Sequence, residues 1–420
     1  MTTADTSRGP IRSAAARHPA ARRRPQTSFA TGFHMVAAGY ASLMAFGAAP
    51  TPLWPLYQQR DHFGATAVTV AFAAMVVGAA FSFGVLGHLS DRVGRRMVVV
   101  PALLVGVAAA ATLAVWPTLP GLIAGRVLTG VAVGLMASTA TAYLSDLYHR
   151  AHPGRPASQV PAVVANVANL GGLAMGPLIA GVLSEWAPVP LRTSYIALGA
   201  VMLLLAAALL AGPETVDTTT AGGHRAVRFA LRTGGAPAFG LAAAVGFFAF
   251  AVMGFFSSLG STIVRTELHV TSTFVVGLVP FTALAASALA QLALGKLTHP
   301  ALLGTGTVLF PTGLALTTLS LYHPVMWLLL AAAGFAGAGA GLLFKGAVAE
   351  TMRSAVPESR AGVFSVFFVI AYLGLGLPSI AFSLAIRHVA LQPAMIGFSA
   401  VFAAGAVGAV IVALTAHREK

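Results

Sequence analysis

The chain has 420 residues, 57% of them hydrophobic and 9% charged, with a mean hydropathy of +0.84 and a formal net charge of +14. A soluble domain is about half apolar and about a quarter charged, so an ordinary soluble fold is excluded. The absence of cysteine excludes disulfides and thiolate metal sites, and no metal or cofactor is expected.

Residues 1–32 form a tail with six arginines (Arg8, Arg12, Arg17, Arg22, Arg23 and Arg24) and one acid, Asp5. It reads as a disordered cytoplasmic tail held near anionic lipid. A transit peptide is the rejected alternative, because no cleavage-like apolar segment follows. Apolar runs come next, at 33–57, 66–89, 97–117, 121–143, 160–184, 190–212, 236–260, 273–294, 301–321, 325–348, 361–385 and 394–415. Each is long enough to cross a bilayer as a helix, the element that satisfies its own backbone polar groups in hydrocarbon. The pattern predicts an all-α membrane protein with twelve transmembrane helices. The longest internal connection, 213–235, carries "PETVDTTTAGGHRAVR" and separates an N-terminal six-helix half (33–212) from a C-terminal one (236–415), with a short tail at 416–420.

The halves look repeated. Gly130 aligns with Gly337 and Gly134 with Gly341 at an offset of 207, Gly87 with Gly295 at 208, and Pro177 with Pro378 at 201. Orientation follows from Lys and Arg placement. With the N-terminus inside, inner segments hold 19 basic residues and outer segments four: Arg60, Arg192, Arg265 and Arg387. Both termini are therefore expected in the cytoplasm. Dispersal of the charge over many loops argues against nucleic acid as a partner.

Between spans 2 and 3 stands "GHLSDRVGRR", in which Asp91, Arg92, Arg95 and Arg96 are charged. Gly87 and Gly94 permit a tight turn. Asp91 suits a helix N-terminus, that of span 11 in the other half, and Arg95 is placed to bridge it to Asp146. The loop is read as a latch holding the halves together on the inside. Arg126, within span 4, is a costly intramembrane charge and a candidate substrate or coupling residue, with snorkelling to the headgroups as the alternative. For Lys345, near the end of span 10, the same two roles stand evenly. The eleven acids sit in loops, tails or span ends. Asp146, Glu350 and His34 are thus the peripheral candidates for proton coupling.

"GHLSDRVGRR" resembles the loop motif of the major facilitator superfamily, with Ser90 at its alanine position. "RVLTGVAVG" (Arg126, Gly130, Gly134) resembles that family's motif on helix 4. "GLAMGPLIAG" (Gly172, Gly176, Pro177, Gly181) resembles the helix 5 motif of its antiporters, with Ala180 replacing a glycine. "PETV" after span 6 is also familial. The resemblance implies a fold of two six-helix halves and a cavity lined mainly by helices 1, 4, 7 and 10. Within that frame Tyr40, Ser42, Asn166, Asn169 and Gln291 are polar candidates for the cavity, and Phe248, Phe255 and Tyr372 aromatic ones.

No HExxH, GxSxG or GxxxxGK[ST] pattern occurs, so an enzyme is not expected. The expectation is a monomeric secondary transporter of the plasma (inner) membrane. It would export small organic or drug-like compounds, with protons as the coupling ion. Uptake of a sugar, amino acid or organic anion by symport or uniport is the alternative.

Overall fold

A computed structural model describes residues 27–86, 93–155, 158–216 and 229–418. Among them are twelve helices long and apolar enough to cross a bilayer. The first six are α1 (Phe29–Asp61), α2 (Ala65–Leu86), α3 (Arg96–Val115), α4 (Leu119–Ala151), α5 (Val160–Trp186) and α6 (Pro190–Leu209). The second six are α7 (Ala236–Glu267), α8 (Thr273–Ala293), α9 (His299–Tyr322), α10 (Met326–Ser354), α11 (Pro357–Ala385) and α12 (Leu391–Ala413). An isolated bridge, Leu231–Ala355, is the β pairing among the described residues.

The helices follow the apolar runs except where a helix outlives its hydrocarbon. Helices α4 and α10 continue beyond 143 and 348, so Asp146 and Glu350 ride on helical turns. An α-helix bonds its own backbone and needs no lipid to continue. The opposite happens in α1. It runs to Ala48, tightens over Thr51–Leu53 and resumes at Trp54, because Pro50 and Pro52 lack the N–H that an unbroken ladder requires. Single wide turns interrupt α2 at Ser82–Leu86, α5 at Val167–Gly171 and α7 at Phe256–Gly260.

Lipid offers no hydrophobic drive for helix pairing, so small residues that allow close approach do that work. A Cβ on Gly130 would overlap the Met75 carbonyl of α2, and one on Gly134 would overlap Ser82. In the second half, Gly337 meets the Ala283 carbonyl of α8 and Gly341 meets Ser287 in the same way. The α2–α4 contact is thus rebuilt as α8–α10. Likewise Gly172 and Gly176 of α5 press on the backbone of Ala41 and Ala45 in α1, and Gly374 of α11 presses on Phe247 in α7. Helices α1 and α7 also stop alike, on left-handed His62 (φ 55) and His269 (φ 56). The molecule is two repeated six-helix halves that meet chiefly through α5 with α8 and α2 with α11.

Candidate functional site

Twelve spans return the chain to the face where it began, here called the terminal face. On the opposite face the halves are sealed. Gln58 of α1 accepts from Thr262 Oγ1 of α7 at 3.0 Å, and Gln59 accepts from Arg265 Nη2 at 3.0 Å. Thr69 of α2 bonds Ser383 of α11 at 2.9 Å. The Glu185 carboxylate, at the end of α5, accepts from the Thr273 N–H at 2.6 Å, where the start of α8 favours an anion. Within the α5 motif, Gly181 faces the Thr273–Phe274 backbone, and a Cβ on Gly277 would lie 2.8 Å from the Pro177 carbonyl. Toward the terminal face, among the described residues, the contact between α5 and α8 thins. The terminal part of α5, Val160–Asn166, packs on α4 and α1 of its own half. Rings of α2 and α11 meet instead: Phe83 stacks on Phe368 at 5.1 Å and touches Tyr372 at 5.5 Å.

Arg126 is 1% exposed and does not reach the headgroups. Its Nη1 donates to the Gly47 carbonyl at 2.7 Å and its Nη2 to the Met75 sulfur at 3.1 Å. The guanidinium lies 5.6 Å from the Phe72 ring centre. In an unbroken α1 the Gly47 carbonyl would accept from the Thr51 N–H; the break leaves it to Arg126. Among the described residues no carboxylate pairs with this charge, and its Nε has no hydrogen-bond partner. Tyr40 is buried beside Thr141 of α4. Tyr57 donates to Tyr195 across the same half at 3.3 Å.

The other expected cavity residues divide. Tyr372 sits among Phe83, Phe250 and Phe368, rings from both halves. Asn166 and Asn169 are half-buried, Asn169 on the wide turn of α5 that packs against α1 and α8. Phe248 and Phe255 are placed elsewhere. Phe248 abuts Phe402 and Gly405 of α12, and Phe255 is enclosed by Phe256, Phe382 and Phe398. Both pack the second half internally, since a ring's side of a helix is set by its tertiary neighbours. Gln291 and Lys345 bind each other: Lys345 Nζ donates to the Gln291 carbonyl at 2.9 Å. A cation on the last carbonyls of α8 is a helix cap, and Gly295 leaves room for it.

At the terminal face, Arg95 Nε lies 3.4 Å from Asp146 Oδ2, as expected. Gly87, Asp91 and Arg92 lie outside the described residues, and so does the expected reach of Asp91 to α11. The described cluster ties one half to itself. Glu214, from "PETV", takes the start of α3: it accepts from the Arg95 N–H at 2.9 Å and the Arg96 N–H at 3.0 Å. Gly94 has φ +108, and a Cβ there would lie 2.6 Å from Glu214 Oε2. Thr215 Oγ1 donates to Asp146 at 3.1 Å, and Arg96 Nη1 to the Gly212 carbonyl at 2.7 Å. Sequence reasoning named Asp91 as an anion for the start of α11, a reading outside the described residues, and named no acid for the start of α3. The available signal was an acid directly after α6 with a glycine and two arginines to receive it.

Two repeated six-helix bundles, joined by polar contacts on one face and by rings of α2 and α11 toward the other, define a polytopic membrane transporter. The description "Major Facilitator Superfamily" matches residues 36–378, and the chain belongs to that family. Solved structures similar over nearly the whole chain include a mutant of the nucleoside transporter NupG (TM-score 0.67, 12% identity, 91% of this chain and 99% of that one). An auto-inhibited POT family peptide transporter is similar at TM-score 0.71, with 12% identity over 93% of this chain and 97% of that one. The human organic anion transporter MFSD10 is similar at TM-score 0.64, with 16% identity over 92% and 100%. At such identities the likeness is one of fold. A curated relative, the glucose transporter GlcP of Staphylococcus epidermidis, is 36% identical over 93 residues, 22% of this chain and 21% of that protein.

Proposed function

We propose that this chain is a secondary transporter of the plasma membrane, with both termini cytoplasmic, that exports small organic compounds by alternating access. The observation that carries the reading is the unequal seal. Polar and backbone contacts close the opposite face between halves, whereas among the described residues the terminal part of α5 packs on its own half. This is one of the two end states that alternating access requires. The excess of basic residues assigns the terminal face to the cytoplasm. Substrate would lie between the halves, against Tyr40, Asn166, Asn169 and Tyr372. Rocking would then break the Gln58–Thr262, Gln59–Arg265 and Thr69–Ser383 bonds and close α5 on α8.

Export is favoured by the α5 motif, whose glycines seat α5 on α1 and α8 at once and so give it a surface to slide on. Sugar uptake is the second reading, favoured by the GlcP match. Counterflow in proteoliposomes separates them. The panel is labelled aromatic organics and hexoses, with and without an imposed pH gradient. Export by proton antiport predicts organic counterflow and net movement driven by the gradient. Hexose counterflow indifferent to pH supports the second reading, and no counterflow of either class overturns both.

A further inference from the structure

The Arg95–Asp146 pair has a counterpart displaced by 204 residues at both partners, His299 and Glu350. Arg95 directly precedes α3 and His299 opens α9; Asp146 and Glu350 lie on the last turns of α4 and α10. His299 Nε2 lies 3.7 Å from Glu350 Oε2, and Arg353 Nη1 lies 3.5 Å from the same oxygen. Glu350, 9% exposed, is the most buried acid among the described residues. Histidine and carboxylate edge a shallow cleft between α7, α9, α10 and α12 that is otherwise apolar, with Ala242, Val245 and Leu303 in its wall.

This pair stands one turn from a clip. The Glu350 carbonyl accepts from Ser354 Oγ at 2.9 Å, and the Ser354 carbonyl accepts from the Arg232 N–H at 2.9 Å. Leu231 pairs with Ala355, and Ser359 Oγ donates to the Ala230 carbonyl at 2.6 Å. The chain that joins the halves is thus fastened to the α10–α11 turn beside the histidine.

The two pairs differ in chemistry. A guanidinium never loses its charge in this pH range, while an imidazole ordinarily changes charge between about pH 5 and 8. Facing the pair, α7 offers Leu241, Ala242 and Val245, α12 offers Val410 and Ala413, and α10 adds Arg353. Arg232 of the connecting chain donates to the Ala355 carbonyl at 3.2 Å. His417, Arg418, Glu419 and Lys420 follow α12 in sequence, with side chains outside the described residues.

We propose that His299 and Glu350 form a proton-operated clamp on the terminal face of the second half. It closes when the imidazole carries both ring protons and loosens when one is lost. The proton is its ligand, and the assignment holds for either direction of transport. The clamp is strongest at the acid end of the imidazole range and fades as pH rises through it. The Arg95–Asp146 pair holds throughout.

Hydrogen exchange on the purified full-length protein in lipid nanodiscs tests this between about pH 5.5 and 8, across the ordinary imidazole range, with rates corrected for intrinsic chemistry. Protection of residues 299–303 and 347–354 should fall about five-fold as pH rises, the size expected for a partly exposed ion pair. Protection of 95–99 and 143–149 should stay level. His299→Gln should show the weak, pH-independent protection and His299→Arg the strong one. His417→Gln should leave the profile unchanged. A profile that is flat in the native protein, that moves equally in both halves, or that survives in His299→Gln overturns the proposal.

Discussion

In the first half, the start of α3 gives two backbone N–H groups to Glu214 while Arg95 pairs with Asp146 and Gly94 turns left-handed to make room. In the second half, the start of α9 has Thr298 in an ordinary extended conformation (φ −60, ψ 153) at the place of Gly94, and a histidine facing Glu350. The same position in the repeat is occupied once by permanent charges on a strained turn and once by a titratable pair on a relaxed one. The contrast continues inside the bundle. Arg126 lies in α4, where the glycine register of 207 residues places Ala333 in α10. The first repeat carries a buried cation inside the bundle at a place where the second has an apolar residue, so conformational bias should reside mostly in the first half.

The strongest way to break this comparison is Arg126→Ala. It removes the donor on the Gly47 carbonyl at the α1 break. Transport should fall on the order of ten-fold or more while folded protein stays in the membrane, because intramembrane charges of this kind are retained for function at a cost in stability. Ala333→Ser, at the equivalent place in α10, should change transport far less. Equal losses in the counterflow assay would end the asymmetry. Gly94→Ala comes next. A side chain at φ +108 is strained, and Glu214 occupies the space. A cost of about 2–3 kcal/mol in thermal unfolding is expected, against little for Thr298→Ala, whose side chain makes no capping bond.

Glu214→Gln keeps the shape and removes the charge at the start of α3. About 1–2 kcal/mol should be lost for two charge-assisted bonds at a helix N-terminus, read as faster exchange at residues 95–99. The smallest effect belongs to Asp146→Asn. Its side chain is 37% exposed, so solvent screening holds the pair to about 0.5–1 kcal/mol. That loss should shrink in high salt, and it should not vary between pH 5.5 and 8. A pH-dependent loss would make the first-half pair as titratable as the second and erase the distinction.

Much of this was legible before any coordinates. The twelve spans, the repeat and the Arg95–Asp146 contact follow from apolar run length, glycine register and charge spacing. Tyr372 sits among rings of both halves. Phe248 and Phe255 pack within the second half, a difference the sequence does not show, because a helix apolar on every side gives no periodicity to tell a lumen face from a packed one. Gln291 and Lys345 were read separately as cavity residues and turned out to bind each other. Nothing in the spacing of residues 291 and 345 says that the end of α8 meets the end of α10.

The sequence by itself determined that the chain has twelve segments able to cross a bilayer, in two repeats, with most of its basic residues in the segments of one face. Those properties depend on transfer of each segment from water to lipid, which is additive along the chain. Only the tertiary structure decided which acid caps α3, that Arg126 serves a broken helix, that polar contacts join the halves on one face, and that His299 stands opposite Glu350. Each depends on which helices come within a few ångströms of one another. That is set by small residues pressed onto the backbones of distant segments, a pairing that composition and local pattern do not contain.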